Sequence, residues 1–175
     1  AIILFLIYYT WKHKIHFLWL LDRLGIAIPI AASFVRIGNL MNHEIVGSIT
    51  DVSWGFDFIY GGLGIAGTFR HPAQIYESAV YLLVFIGLAI YYFKFAKGRV
   101  AAGRASGITL FVIFTARFII EFFKEVQVAS EMGHTLNNGQ ILSIPIALAG
   151  LGLIIYSLVK PNYPECPYKE ETTTK

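Results

Sequence analysis

The sequence predicts an all-α fold, a polytopic bundle of transmembrane helices with a small loop region on its outer face. The chain of 175 residues is 56% hydrophobic and only 14% charged, whereas soluble domains average about 25% charged residues. Its mean hydropathy is +0.61. Four apolar runs are long enough for helices that cross the hydrocarbon core, which needs about 20 residues. These observations indicate an integral membrane protein.

The distribution of charge argues against a nucleic-acid partner. The net charge is +3, but the basic residues lie beside the apolar runs rather than on one basic face. Lys94, Lys97, Arg99 and Arg104 follow one span without an intervening acid. Such loops are typically cytoplasmic. We therefore expect a lipid bilayer as partner and no nucleic acid.

The segments follow in order along the chain. Residues 1–11 are apolar but too short to span a membrane, and they lack the basic start and cleavage site of a signal peptide. We interpret them as the end of a span that begins upstream. Four full spans are predicted at Phe17–Met41, 72–93, 106–124 and 141–159. Residues 1–160 form the membrane domain in this prediction, with an extracytoplasmic insert at about 42–70, and 161–175 form a disordered cytoplasmic tail.

Several other motifs and residues do not indicate a functional site. Residues 62–67 match G-x-G-x-x-G, but no βαβ unit surrounds them, so we reject a dinucleotide site. Residues 52–60 indicate a short strand or an interfacial aromatic patch. The single cysteine, Cys166, excludes an internal disulfide, and His13, His16 and His134 are interpreted as solvated loop residues. No metal and no cofactor are predicted.

Three polar clusters interrupt the apolar pattern. The first follows the span that ends at Met41 and contains Arg36, Asn39, Asn42 and Glu44. A charge near the bilayer centre costs roughly 2.5–3.5 kcal/mol, so such residues usually have a use. An ordinary helix end with a snorkelling arginine is the alternative.

The second and third clusters can also be explained by a purely structural role. His71, Gln74 and either Glu77 or Ser78 share a helix face, which also suits a well-capped helix start. Arg117 and Glu121 are four residues apart and could form a purely structural ion pair.

All three clusters are predicted at the same outer level of the membrane, which favours a functional site. Two arginines can hold a phosphate bidentately, while asparagine, glutamine and tyrosine orient neighbouring hydroxyls. The pattern therefore predicts a phospholipid headgroup that enters sideways from the bilayer.

The clusters also carry a family resemblance. RIGNLMNHEIVG at 36–47 resembles the signature of the bacterial phosphatidylglycerol–prolipoprotein diacylglyceryl transferases, G-R-x-G-N-F-x-N-x-E-x-x-G. RHPAQIYE at 70–77, RFIIEF at 117–122 and GQILS at 139–143 are similar to further motifs of that family, in the same order. The chain departs from the pattern at four positions: Val35, Leu40, Ile113 (usually tyrosine) and Lys124 (usually arginine). The family's H-G-G motif, with its suspected general base, is expected just before Ala1.

The resemblance implies an enzyme of seven membrane helices, of which this chain would hold the last four and part of another. It would sit in the bacterial cytoplasmic membrane with its active site on the extracytoplasmic side. It would transfer the diacylglyceryl group of phosphatidylglycerol to the lipobox cysteine of a preprolipoprotein, releasing glycerol 1-phosphate. The partners would be phosphatidylglycerol and the lipobox peptide.

The resemblance also implies roles for individual residues. The catalytic set is Arg36, which would bind the headgroup phosphate, Arg117, which would stabilise the leaving group, and Glu121, which would orient Arg117. The substrate-binding set is Arg36, Asn39, Asn42, Glu44, Gly47, His71, Gln74 and Tyr76.

Two rival hypotheses remain. A non-catalytic lipid-binding or lipid-transporting protein could use the same arginines. An intramembrane serine protease would need Ser78 beside His71, but Ser78 lies in no recognisable nucleophile turn.

Overall fold

The computed structural model describes residues 2–59, 67–124 and 136–161. Within these ranges the fold is helical, with the α-helices α1 (Ile2–His13), α2 (Phe17–Met41), α3 (Ala73–Ile90), α4 (Arg104–Ile120) and α5 (Asn138–Val159). A π-helical turn, Tyr91–Phe95, extends α3, and a 3-10 turn, Glu121–Phe123, extends α4. Four helical segments are long and apolar enough to cross a membrane, namely Phe17–Met41, Ala73–Phe95, Arg104–Phe123 and Asn138–Val159. The predicted all-α polytopic bundle is confirmed.

The four long helices alternate in direction. Ser33 on α2 contacts Ser78 near the start of α3, with 2.8 Å between the hydroxyl oxygens. Arg104 at the start of α4 donates from Nη2 to the carbonyl of Ser157 near the end of α5, at 3.1 Å. Accordingly, α2 and α4 end where α3 and α5 begin. Arg36 and Arg117 lie near these ends of α2 and α4, and we call this end of the bundle the arginine end.

A buried carboxylate fixes the start of α4 against α2. Asp22 is fully buried. Its Oδ1 accepts hydrogen bonds from the backbone N–H and the hydroxyl of Ser106, both at 2.9 Å, and its Oδ2 accepts one from the N–H of Gly103 at 2.8 Å. Gly103 is the N-cap residue of α4 and has no side chain to cap with. Asp22 therefore supplies the cap from a neighbouring helix, where a negative charge also meets the positive end of the helix dipole.

Glycines allow the helices to approach closely. A Cβ on Gly107 would lie 2.9 Å from the carbonyl oxygen of Gly150 on α5, and one on Gly25 would lie 2.8 Å from the Cα of Ser106 on α4. Small residues at such crossings are a known feature of membrane bundles. Gly107 thus permits α4 to pack closely against α5.

Helix α2 ends in a turn that leads the chain back towards the bundle. The N–H of Glu44 donates to the carbonyl of Asn39 at 2.9 Å, and that of His43 donates to the carbonyl of Leu40 at 3.1 Å. His43 has φ of 56°. This is a Schellman ending with histidine in the left-handed position that glycine usually occupies.

A small extramembrane lobe caps the arginine end. The two-residue strands β1 (Phe56–Asp57) and β2 (Phe69–Arg70) pair antiparallel. Val46 and Phe58 form its small apolar core with Leu40 of α2. Of the two alternatives for residues 52–60, a short strand or an aromatic patch, the short strand is present as β1. Residues 60–66, which include most of the glycine-rich motif, lie outside the described residues, as do His134, Cys166 and the tail from 162.

Candidate functional site

The site is organised around Glu77 in the second turn of α3. This carboxylate is fully buried at the arginine end of the bundle. Its Oε2 lies 2.7 Å from Nε of Arg36 on α2, and its Oε1 accepts a hydrogen bond from Nζ of Lys124 at 2.9 Å. Lys124 also reaches Oε2 of Glu121 at 3.1 Å. We call Arg36, Glu77, Glu121 and Lys124 the charge cluster.

The charge cluster is shielded from solvent in every member. The side chains of Arg36 and Glu121 are 13% and 16% exposed, and that of Lys124 is 5% exposed. Two cations and two anions balance one another. Breaking such a buried pair by removing one partner typically costs about 3–5 kcal/mol, because the other charge is left uncompensated. The cluster is therefore a fixed arrangement, in which each charge depends on the others.

Asn39 holds the outer end of Arg36. In the amide orientation that satisfies both of its groups, Asn39 Nδ2 donates to the carbonyl of Val35 and Oδ1 accepts from Nη1 of Arg36, each at 3.2 Å. Arginine carries five N–H groups. With Nε at Glu77 and one Nη1 hydrogen at Asn39, the other Nη hydrogens have no partner among the described residues and are available to a ligand.

Arg36 and Arg117 line the same cavity, which has a volume of about 640 Å³ and lies between α2 and α4, with α1 alongside. Its walls are otherwise almost entirely apolar, with Leu24, Ile28 and Phe114 among them. The predicted convergence of the two arginines is present. A cavity with two arginines and otherwise apolar walls is complementary to a molecule that has an anionic head and a hydrocarbon body.

Ile113 stands where the family pattern has a tyrosine. It is buried and lines this cavity one helical turn before Arg117. This part of the wall is therefore apolar, without a hydroxyl to support the arginine.

The expected pairing of Arg117 with Glu121 is wrong. Glu121 lies at the start of the 3-10 turn, and its partner is Lys124. Glu121 keeps the α-helical position four residues after Arg117, since its N–H donates to the Arg117 carbonyl, but its carboxylate is bound by Lys124. Among the residues that the structure describes, Arg117 has no ion pair and no hydrogen bond. Its guanidinium is therefore available in the cavity.

Glu121 instead packs against the start of α5. A Cβ on Gly139 would lie 2.9 Å from the Glu121 carboxyl carbon. The positive end of the α5 dipole thus faces a carboxylate, which is a favourable arrangement. The capping box between Asn137 and Gln140 completes this helix start. The GQILS motif consequently has a structural role in supporting Glu121.

The second motif links the lobe to the bundle through hydrogen bonds. Trp54 Nε1 donates to Tyr76 Oη at 2.9 Å, and Tyr76 Oη lies 3.1 Å from Nδ1 of His71. Gln74 is almost completely buried, and its Nε2 donates to the backbone carbonyl of Glu44 at 2.6 Å. Gln74 therefore fixes the turn after α2, while Tyr76 orients His71.

Gly47 occupies a position without room for a side chain. A Cβ there would meet the backbone carbonyl of His71, and would lie 2.8 Å from the carbonyl of Phe123. The N–H of Gly47 donates to that His71 carbonyl at 3.1 Å. Gly47 thus contacts the backbone of both His71, in the motif at 70–77, and Phe123, at the end of the segment that contains Arg117 and Glu121.

The side chains of Asn42 and Glu44 are exposed and lie outside the charge cluster. Both residues act in the structure through their backbones: Asn42 caps α2 and Glu44 accepts from Gln74. Whether their side chains bind substrate stays a prediction.

Sequence reasoning left two residues of this arrangement out of the site, Glu77 and Lys124. Glu77 was noted on the face of His71 but not placed in the site, although it is the centre of the charge cluster. Lys124 was noted only as a departure from the family pattern. The role of Asp22, at the opposite end of the bundle, could have been anticipated, since an acid inside an apolar span needs a partner.

The sequence of most of the chain matches a known family model. The model of the prolipoprotein diacylglyceryl transferases matches residues 1–156. The chain belongs to this family.

Individual relatives of the transferase family support the assignment. The chain is 44% identical over 141 residues to the phosphatidylglycerol–prolipoprotein diacylglyceryl transferase of Tolumonas auensis, covering 81% of this chain and 52% of that protein. It is 40% identical over 148 residues to that of Bacteroides fragilis, covering 85% and 52%. For the Chlamydia caviae protein the identity is 35% over 174 residues, covering 95% and 58%. The chain spans about half the length of the curated relatives it matches.

Proposed function

We propose that this chain takes part in transferring the diacylglyceryl group of phosphatidylglycerol to the lipobox cysteine of a preprolipoprotein, the first step of lipoprotein maturation. One observation carries the proposal. Arg36 and Arg117 meet at one apolar cavity between α2 and α4. The names of the transferase relatives supply the reaction.

The geometry supports different roles for Arg36 and Arg117 at the headgroup. Arg36 is held by Glu77 and Asn39, so its free Nη groups are preorganised to bind the phosphate. Arg117, which has no partner among the described residues, neutralises charge as the phosphate leaves. The cavity walls below take the hydrocarbon chains.

In the proposed reaction, the thiolate sulfur of the lipobox cysteine forms a bond to the glycerol carbon, and the bond from that carbon to the phosphate oxygen breaks. The electron pair of that bond leaves with glycerol 1-phosphate, whose additional negative charge the arginines stabilise. The thiol proton must be removed before or during the attack. Asn39 acts through Arg36, whereas His71, Gln74 and Tyr76 shape the lobe over the site.

The charge distribution supports an orientation in the membrane. Lys94, Lys97 and Arg99 lie between α3 and α4, at the end of the bundle opposite to Arg36. Loops rich in lysine and arginine usually stay in the cytoplasm. We therefore propose that the arginine end faces the extracytoplasmic side of the bacterial cytoplasmic membrane.

The test uses the natural full-length polypeptide in phosphatidylglycerol vesicles with an added lipobox peptide. The intact mass of the peptide is recorded for the wild type and for Arg36→Ala. A diacylglyceryl mass increment that disappears in the variant supports the transferase and the role of Arg36. Lipid binding that depends on Arg36, without any increment, would contradict the enzyme and favour a lipid-binding protein.

A further inference from the structure

Glu77 contacts Arg36, which lines the cavity, but does not line the cavity itself. Its carboxylate is completely buried, and it contacts Arg36 and Lys124 rather than the cavity. It is therefore a positioning and electrostatic residue. What it determines follows from the sum of the charges around it.

The charge cluster sums to zero. Arg36 and Lys124 contribute two positive charges, and Glu77 and Glu121 contribute two negative charges. Arg117 then adds one positive charge to the cavity wall. The arrangement consequently offers one net positive charge to a headgroup at this position.

We propose that Glu77 sets the charge class of the lipid headgroup, so that a phosphodiester with one negative charge is favoured over a phosphomonoester with two. This inference rests on the proposed function, since it concerns the same site. Without the Glu77 charge, the cluster and Arg117 together present two positive charges. The second negative charge of a phosphomonoester then gains a partner.

The expected size of the effect follows from Coulomb's law. A unit charge about 8 Å from the phosphate, at an effective dielectric constant of about 20, changes the relative affinity for two lipids that differ by one charge on the order of tenfold to thirtyfold. Screening by salt is weak, because every member of the charge cluster is largely buried.

The experiment measures lipid competition with the natural full-length polypeptide in detergent micelles. Labelled phosphatidylglycerol is displaced by unlabelled phosphatidylglycerol or by phosphatidic acid at pH 8, where a phosphomonoester carries close to two negative charges. The ratio of the two apparent affinities is compared among wild type, Glu77→Gln, Lys124→Met and the double variant. Asp51→Asn is the matched control, because it removes an exposed carboxylate from the extramembrane lobe.

We expect Glu77→Gln to shift the ratio towards phosphatidic acid by tenfold or more, and Lys124→Met to shift it in the opposite direction. The double variant restores the charge balance and should return the ratio to within about twofold of the wild type. Such a restoration is not expected of a residue with a merely structural role. If Glu77→Gln does not fold, Lys124→Met and the double variant still decide the question.

Two results would overturn the inference: a ratio in folded Glu77→Gln equal to that in Asp51→Asn, or a double variant that does not restore the wild-type ratio. The peptide-mass assay on the same samples reports the proposed function separately. Absence of transfer together with the expected ratios would overturn the proposed function alone. Transfer with unchanged ratios would overturn only the role of Glu77.

Discussion

Asp22→Ala should lower the stability of the bundle substantially. The substitution removes the acceptor of three hydrogen bonds from Gly103 and Ser106. Losing an N-cap costs about 1 kcal/mol. Each of the two buried N–H groups left without an acceptor adds about 1–3 kcal/mol. These terms together give about 3–7 kcal/mol, and the desolvation cost that the carboxylate no longer bears lowers the expected loss in the free energy of unfolding to about 3–5 kcal/mol.

Asp22→Asn separates the acceptor from the charge. Both substitutions relieve the desolvation cost of the carboxylate, but asparagine keeps one oxygen that can accept from Ser106. The difference in stability between the two variants therefore reports the cap itself, and we expect asparagine to be more stable by about 1–3 kcal/mol. Asp51→Asn, an exposed change, should stay within about 0.5 kcal/mol of the wild type.

The assay is thermal unfolding of the natural full-length polypeptide in detergent, with amide hydrogen exchange at Gly103 and Ser106. At this chain length 1 kcal/mol shifts the midpoint by roughly 2–4 °C, so Asp22→Ala should unfold about 10 °C below the wild type. An alanine variant as stable as the asparagine variant, with unchanged exchange at both amides, would refute the cap.

The same cap has a consequence for the site. Arg36 lies 14 residues after Asp22 on α2, or about 21 Å along the helix, and Arg117 lies 11 residues after Ser106 on α4, or about 16 Å. The contact between Asp22 and Ser106 therefore sets the register in which the two arginines reach one cavity. We expect Asp22→Ala to reduce transferase activity even at temperatures where the protein remains folded.

Three further predictions concern the arginine end. Gly47→Ala should abolish activity and lower the midpoint of unfolding, because the new Cβ would meet two backbone carbonyls. Gly38→Ala is the control: a Cβ there has no neighbouring atom within 4 Å, so this variant should be neutral or slightly stabilising. Equal midpoints of unfolding for the two variants would contradict this prediction. Arg117→Lys should reduce kcat at least about tenfold with an unchanged midpoint, since lysine keeps the charge but loses the bidentate fork; full activity would show that one point charge suffices. Tyr76→Phe should lower kcat/KM by about fivefold, because it removes the hydrogen bond that orients His71. An unchanged kcat/KM would show that the site does not depend on this orientation of His71.

The spans were predictable because hydropathy is a local property. Phe17–Met41 has the bounds expected from its sequence. Pro72 directly precedes α3, where its lack of an N–H costs no helical hydrogen bond. Arg36 and Arg117 could be expected at one level because each ends a span that runs in the same direction.

The partners of the charges were not predictable by the same reasoning. Glu77 meets Arg36 from 41 positions away and Lys124 from 47, and nothing in local spacing selects these contacts over others. Asp22 caps a helix more than 80 positions later. Such contacts are decided by how the helices dock.

The misassigned partner of Arg117 explains how a buried site keeps one cation available. Glu121 lies at the α-helical i+4 position from Arg117, where it could have neutralised that cation. Its carboxylate instead contacts Lys124, three residues further along the chain. Lys124 also pairs with Glu77, so both acids are used within the charge cluster. Because Lys124 contacts both acids, Arg117 has no ion pair among the described residues and can meet an anionic ligand.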